Sequence, residues 1–312
     1  WGQAVGLFFA DIVNPKDLRE YILPDLDQAR IPIPAANIEY YHDTLYLQLI
    51  FIPFPEFNEF AKPGAEFDFS RTILAQDADI IMKDPVKPDN SLDNGEIGAR
   101  VSKLIAGWDL SLFYLYDYYN FPTNYRYISS NPAGSLHTVS IEYRPEHNRV
   151  HRFGHTFSKE YLDTIFKGEF IYSPKMYISS LDTTDQDGIS AGDTLDWLLG
   201  VDYTFFGSLE TNFQLMQKMI LDHEPGMAQR EYATSISVWF KTGFFDDRIE
   251  PEFFMVSSFN QRDWLFRPKI AYNYGADLTF FLGADLFWGE QNGDFGRFKD
   301  NDRFYFEMLY RF

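Results

Sequence analysis

The sequence predicts an all-β fold: a transmembrane antiparallel β-barrel of fourteen strands, or sixteen, with a short helix and long extracellular loops. Three observations point there. Aromatic residues make up 19% of the 312-residue chain (32 Phe, 20 Tyr, 6 Trp), more rings than one globular core readily seats. The mean hydropathy is nonetheless −0.30, and no run reaches the roughly 18 apolar residues of a spanning helix. The rings also recur at every second position, the period of a strand that meets a different solvent on each face.

Taken from the start, the chain opens abruptly at Trp1, without the basic start and apolar run of a leader, and a further strand is expected ahead of it. Residues 11–24, "DIVNPKDLREYILP", predict a short helix, with Asn14 as N-cap, Pro15 at the first position and Pro24 as stop. Spans follow near 33–42 and 44–54. Residues 55–96 are a proline-rich acidic insertion, longer than a simple connection needs. Together with 7–32 it is placed to occlude the lumen of a single domain covering 1–312.

Two spans come next, near 97–106 and 108–119. In the second, Trp108, Leu110, Leu112, Tyr114, Tyr116 and Tyr118 share one face, with Asp109, Ser111 and Asp117 on the other. Residues 136–145 also look like a strand. Counting them as a span would break the alternation of short and long connections, so they are read as an extension within an outer loop. The remaining spans lie near 148–157, 164–173, 194–206, 208–221, 231–243, 248–260, 263–274, 278–289 and 303–312. A β-sandwich with this many ring-faced strands would overfill its core.

Composition removes several chemistries. With no cysteine there are no disulfides, thiolate nucleophiles or Cys-ligated metals. A net charge of −19 argues against nucleic acid as a partner. No G-x-S-x-G, H-E-x-x-H or phosphate loop is present, and no catalytic residue is assigned. His147, His151 and His155 cluster in sequence, but on a strand 151 and 155 are about 13 Å apart, too far to share a metal, and a polar stripe near the rim is the simpler reading. The loop "DTTDQDGISAGD" (182–193) partly fits a calcium loop from Thr183 through Asp185, Asp187 and Gly188. Thr194 stands where the bidentate Glu belongs, which leaves a weak case for loop Ca²⁺ and no other cofactor.

The alternation assigns a lumen instead. Its charged lining is Glu39, Arg100, Asp109, Asp117, Arg152, Lys167, Glu169, Asp202, Glu210, Lys218, Lys241, Glu250, Glu252, Arg267, Lys269, Glu307 and Arg311, with Phe113, Leu198 and Trp239 as apolar steps. The expected function is an outer-membrane, porin-like channel for small solutes, hydrophobic ones included. The alternative is a structural sleeve or anchor for a protein partner, such as an electron-transfer complex. An enzyme is not expected.

The N-terminal stretch resembles a family of proteobacterial outer-membrane proteins named only as a domain of unknown function. The likeness rests on Trp1-Gly2, Asn14-Pro15-Lys16-Asp17-Leu18 and Ile31-Pro32-Ile33-Pro34. A second block, "LLGVDYTFFGSLETNFQLMQ", carries Gly200-Val201-Asp202 and Gln214. The resemblance implies a barrel with an inserted helical element, and loosely the transport of poorly soluble organic compounds. The end "RFYFEMLYRF" (303–312) looks like the C-terminal signal of bacterial outer-membrane barrels. It sets Phe304, Phe306, Met308, Tyr310 and Phe312 toward lipid, and Arg303, Glu307 and Arg311 inward. That likeness implies the barrel-assembly machinery, the bilayer and lipopolysaccharide as partners.

Overall fold

The computed structural model describes residues 1–4, 9–68, 79–131, 138–182 and 184–312. It is almost entirely β. The first strands are β1 (Asp17–Leu18), β2 (Ala36–His42), β3 (Leu45–Ile52), β4 (Glu59–Phe60) and β5 (Asp79–Met82), with one four-residue helix, α1 (Leu26–Ala29). Next come β6 (Glu96–Ile105), β7 (Trp108–Tyr118), β8 (Thr123–Asn131), β9 (Thr138–Glu146), β10 (Arg149–Tyr161) and β11 (Thr164–Ser179). The chain ends with β12 (Ile189–Phe205), β13 (Leu209–Ile220), β14 (Tyr232–Lys241), β15 (Ile249–Ser258), β16 (Asp263–Tyr274), β17 (Leu278–Trp288) and β18 (Arg303–Tyr310).

Thirteen of these strands form one sheet, ordered β18-β17-β16-β15-β14-β13-β12-β11-β10-β7-β6-β3-β2, and every neighbouring pair in it is antiparallel. They coincide with the thirteen expected spans. The stretch over 136–145 is kept out of that sheet: β9 pairs with β8 and β5 in a separate three-stranded sheet. Connections at one end of the large sheet are tight. Ala106-Gly107 and Phe206-Gly207 take positive φ (51° and 76°, 53° and 74°), the conformation whose twist matches a hairpin. Most connections at the opposite end are long and carry β4, β5, β8 and β9.

Three strands, β10, β11 and β12, outrun their expected bounds. The span expected near 164–173 stops just before Pro174. The chain instead passes Pro174 through a bulge between Ser173 and Met176, with Lys175 at φ 52° and its N–H donated to Asp193 (2.9 Å). The β11–β12 ladder then resumes as far as Ser179↔Ile189.

The two faces of the sheet differ as the alternation demands. Phe304 (80% exposed), Phe306 (66%) and Leu112 (59%) point outward, as do Leu282, Ile38 and Tyr40. Rings line up across neighbouring strands there, as in Phe240–Phe253 (centroids 5.0 Å apart) and Phe280–Phe306 (6.0 Å). The inner face is covered by the chain itself. Ala4, Tyr21 and Leu23 from the N-terminal segment and Phe67 from the 55–96 insertion pack on Leu198, Met216, Val256, Leu265 and Phe287, closed by Phe295 and Phe298. A second cluster joins Ala10 and Ile12 to Ile50, Phe113, Leu115 and Ile171. Residues 69–78 of the insertion, and 5–8 near the start, lie outside the described residues.

The helix expected over 11–24 does not form. Asn14 gives its side-chain amide to the Ile31 carbonyl (3.1 Å) instead of capping a turn. Lys16 N–H goes to Asn58 (2.7 Å), and β1 pairs in parallel with β4. Tyr21 sits at φ 57°. At Pro15 and Lys16 the backbone groups that a helix would pair locally bond Ile31, Asn58 and Glu59 instead, and the short α1 falls after Pro24. Trp1–Ala4 likewise form no strand: Trp1 bonds Gln48 (2.8 Å) and its ring meets Phe113 at 5.1 Å on the inner face.

That contact makes Gly154 a necessity. A Cβ built there would stand 1.9 Å from Phe113 Cζ, and Phe113 is itself wedged in the second cluster. Gly154→Ala is expected to destabilise the protein by about 1–3 kcal/mol through overpacking. In a Phe113→Ala background the same change should cost much less, as read by a double-mutant cycle of urea midpoints.

Candidate functional site

The site is the inner face of the sheet with the segment that lies on it. A chain crossing such a face brings N–H and C=O groups that the strands cannot pair, because the ladders already use the strands' own. Side chains take their place at three points.

At the first, on β11, Glu169 is fully buried. One carboxylate oxygen accepts the N–H groups of Gln3 (2.6 Å) and Ala4 (2.9 Å), the other those of Phe9 and Ala10 (both 2.8 Å). At the second, Arg152 of β10 forks onto Asp117 of β7 and also donates to the Ile12 carbonyl (3.2 Å). At the third, Asp285 of β17, also fully buried, is held by Arg267 (2.7 Å) and Arg303 (2.6 Å). Arg267 then donates to the Leu23 carbonyl (2.6 Å), and Arg303 reaches Glu20 (3.0 Å). Between anchors the segment braces itself: Asp11 meets Lys16 (3.4 Å) and Arg30 (3.2 Å). Burial lowers the Lys16 pKa, and the Asp11 charge opposes that shift.

Three of the residues assigned by alternation, Glu169, Arg152 and Arg267, therefore grip the N-terminal segment, and a fourth, Asp117, holds Arg152 in place. Glu169, Arg152 and Arg267 give polar atoms to the segment, while the Asp117 carboxylate is taken by Arg152. Asp109 accepts from Gln3 (3.3 Å), and Arg100 donates to Ser111 (3.0 Å).

Toward the tight-turn end the remaining charges form a band. Glu210, Lys241, Glu252 and Lys269 stand directly opposite one another on β13, β14, β15 and β16, a row of alternating sign. Lys241 bridges Glu250 (3.2 Å), Lys269 bridges Glu252 (2.9 Å), and Trp239 donates to Glu252 (3.0 Å). Lys167 pairs with Asp202. A pocket of about 270 Å³ opens here between Asp202, Glu210, Asn212 and Trp239. Glu39 lies on β2, bonded by Asn37 and Tyr41 (both 2.7 Å); Glu307 lies on β18 opposite Phe281; Arg311 follows β18 with its N–H on Asp277. Lys218 of β13 stands opposite Asp196 of β12.

Asp196, Asp263 and Asp285 are absent from the lining assigned by alternation, although their strand parity places them on the same face. Buried Asp263 accepts from Phe295 (2.6 Å) and Gly296 (3.2 Å) and so folds the 289–302 loop inward. The three histidines separate. His151 and His155 are on the outer face, His151 bonded to Tyr114 (2.8 Å), whereas His147 is buried under the 55–96 insertion. The calcium-like loop is filled by a side chain. Arg126 of β8 donates to the carbonyls of Ser180 (3.3 Å), Asp182 and Asp185 (2.7 Å), putting a guanidinium where a cation would need those oxygens. Thr183 lies outside the described residues.

Two outcomes are expected. Glu169→Gln keeps the shape but turns an amide toward two of the four donors. Amide hydrogen exchange at residues 3–12 should accelerate at least tenfold while β12 and β13 stay protected, since an unsatisfied buried donor costs about 1–3 kcal/mol. The second concerns His147, whose ring stacks on Phe57 (3.8 Å) and donates from Nδ1 to the Tyr119 carbonyl (2.8 Å). Burial lowers its pKa, so docking of the insertion favours the neutral ring. Docking should be firm above a pH of about 6.5, the ordinary His value, and weaken as pH falls below it. Proteolysis near Phe57 should rise between pH 7.5 and 5.5, and His147→Gln should flatten that rise. No protein-family model and no curated protein matches the chain.

Proposed function

We propose that the sheet closes into a β-barrel of the bacterial outer membrane, a conduit for small solutes whose interior is occluded at rest by the described residues of the N-terminal segment. The observation that carries this reading is the inversion of the two faces. Rings and aliphatic side chains are bare on the outside, and charges and their hydrogen bonds are gathered inside. A water-soluble sheet of this size would turn those faces the other way.

The apolar band has the height a bilayer requires. On β7 it runs from Trp108, with Lys159 over its ring, to Tyr118, with Arg149 over its ring. Ten residue steps along a strand tilted by some 40° rise about 25 Å. Thirteen strands put β2 and β18 in the same direction, so one further strand antiparallel to both would close the ring at fourteen. The alternating row on β13–β16 would leave the path beneath the plug nearly neutral, suiting uncharged or zwitterionic solutes better than bare ions. A sleeve around a second protein fits less well, because the chain's own residues already fill the space such a partner would need.

Planar-bilayer recording tests the reading. The native protein should insert and conduct rarely. Glu169→Ala combined with Arg152→Ala should raise open probability at least tenfold, by releasing two of the three anchors. Silence from both proteins, after insertion is verified, would argue against a conduit.

A further inference from the structure

The inner face carries four strand lysines, and three of them are paired: Lys167 with Asp202, Lys241 with Glu250 and Lys269 with Glu252. Lys218 differs. Asp196 is directly opposite it in the β12–β13 ladder, a position from which side chains normally meet, yet among the described residues the two charges form no ion pair. The Asp196 carboxylate and the Tyr119 hydroxyl likewise have no hydrogen-bond partner among the described residues. The direct contact of Lys218 is the face of the Phe9 ring, 5.6 Å from its ammonium.

Lys218 shares the inner face with the N-terminal segment that packs there. Asp196, Tyr119 and Asp294 are the groups whose charge or polarity acts on Lys218, and Phe9 belongs to the packed interior. The Lys218 side chain is nevertheless exposed. It stands on the inner face beside the Phe9 ring, open to solvent. Arg152, which also acts on Asp196, is already committed to Asp117. An ammonium and a carboxylate opposite one another, with no ion pair between them among the described residues and an aromatic ring beside the ammonium, gain most from a visitor able to satisfy both charges.

We propose that Lys218, Asp196, Tyr119 and Phe9 form a binding site for a small zwitterion of the α-amino-acid class. The solute carboxylate sits on Lys218, its ammonium on Asp196, and its side chain against Phe9, with the Tyr119 hydroxyl as a further donor. A simple anion would meet Asp196 and Asp294, and a simple cation would meet Lys218, so each lone charge is disfavoured. The proposal rests on the reading of the interior as a solute path. Its test reads binding and not passage, so a silent bilayer record would leave it standing.

Calorimetry on the purified protein should compare phenylalanine with 3-phenylpropionate, which lacks the amine, and 2-phenylethylamine, which lacks the carboxylate. Phenylalanine should bind at least tenfold tighter than either. Lys218→Met should cost phenylalanine at least tenfold while leaving 2-phenylethylamine unimpaired, and Asp196→Asn should do the same while sparing 3-phenylpropionate. Equal affinity for the three compounds, or no binding of phenylalanine by the native protein, overturns the proposal. So does a native ranking that both variants retain.

Discussion

Four backbone N–H groups converge on the carboxylate of Glu169, and the arrangement of the interior depends on that convergence. Polypeptide cannot lie against a finished sheet without replacing the hydrogen bonds it gave up to water. Here the replacements are ionic. A carboxylate serves the donors near residues 3–10, and guanidiniums serve the carbonyls of Ile12 and Leu23. Bonds to charged groups contribute roughly 1.5–3 kcal/mol each, more than neutral ones, which offsets the desolvation of burying them. The inner-face charges thus act as substitute backbone for a segment that has none beside it.

This solution gathers the strongest interactions in two groups of neighbouring strands with four strands between them. Glu169 is on β11, Arg152 and Asp117 on β10 and β7, Arg267 and Asp285 on β16 and β17. The N-terminal segment therefore spans the width of the sheet, and its apolar side chains, Ala10, Ile12, Tyr21 and Leu23, fall between anchors onto apolar inner positions. The charged band toward the tight turns follows different logic. Its lysines and carboxylates satisfy one another across strands, so it needs no covering chain and leaves an opening beside Trp239.

Much of this was legible in the sequence, and the reason is periodicity. A strand between two solvents writes its faces into every second residue, so the thirteen spans and the inward set on each could be read without knowing any neighbour. What failed was whatever depended on a distant partner. Asn14 and Pro15 look like a helix start, but Ile31 and Asn58 claim the groups a helix would use. The span expected near 164–173 stops just before Pro174, but Asp193 and a bulge carry the strand past it. Glu169 was readable as inward, yet its partners are about 160 positions away and are backbone atoms, which no residue pattern advertises. Asp285 and Asp263 were available from parity alone.

The edges of the sheet impose a last constraint on the membrane reading. All seven residues of β2 are exposed, and β18 is bare along most of its length. Each edge carries unpaired N–H and C=O groups beside rings such as Tyr40 and Phe306. In hydrocarbon every such group left unsatisfied costs several kcal/mol, so an open edge cannot coexist with a lipid-facing ring band. Direct pairing of β2 with β18 would be parallel, since thirteen alternating strands bring the two ends into the same direction. That would make the seam the single parallel pair in an otherwise antiparallel sheet, with slightly weaker bonds. One intervening strand, running opposite to both, satisfies the two edges at once and keeps the alternation that the other strands share. It would also place Glu39, Asn37 and Tyr41, now bonded chiefly to each other and to Gln48, on a continuous inner wall beside Trp1.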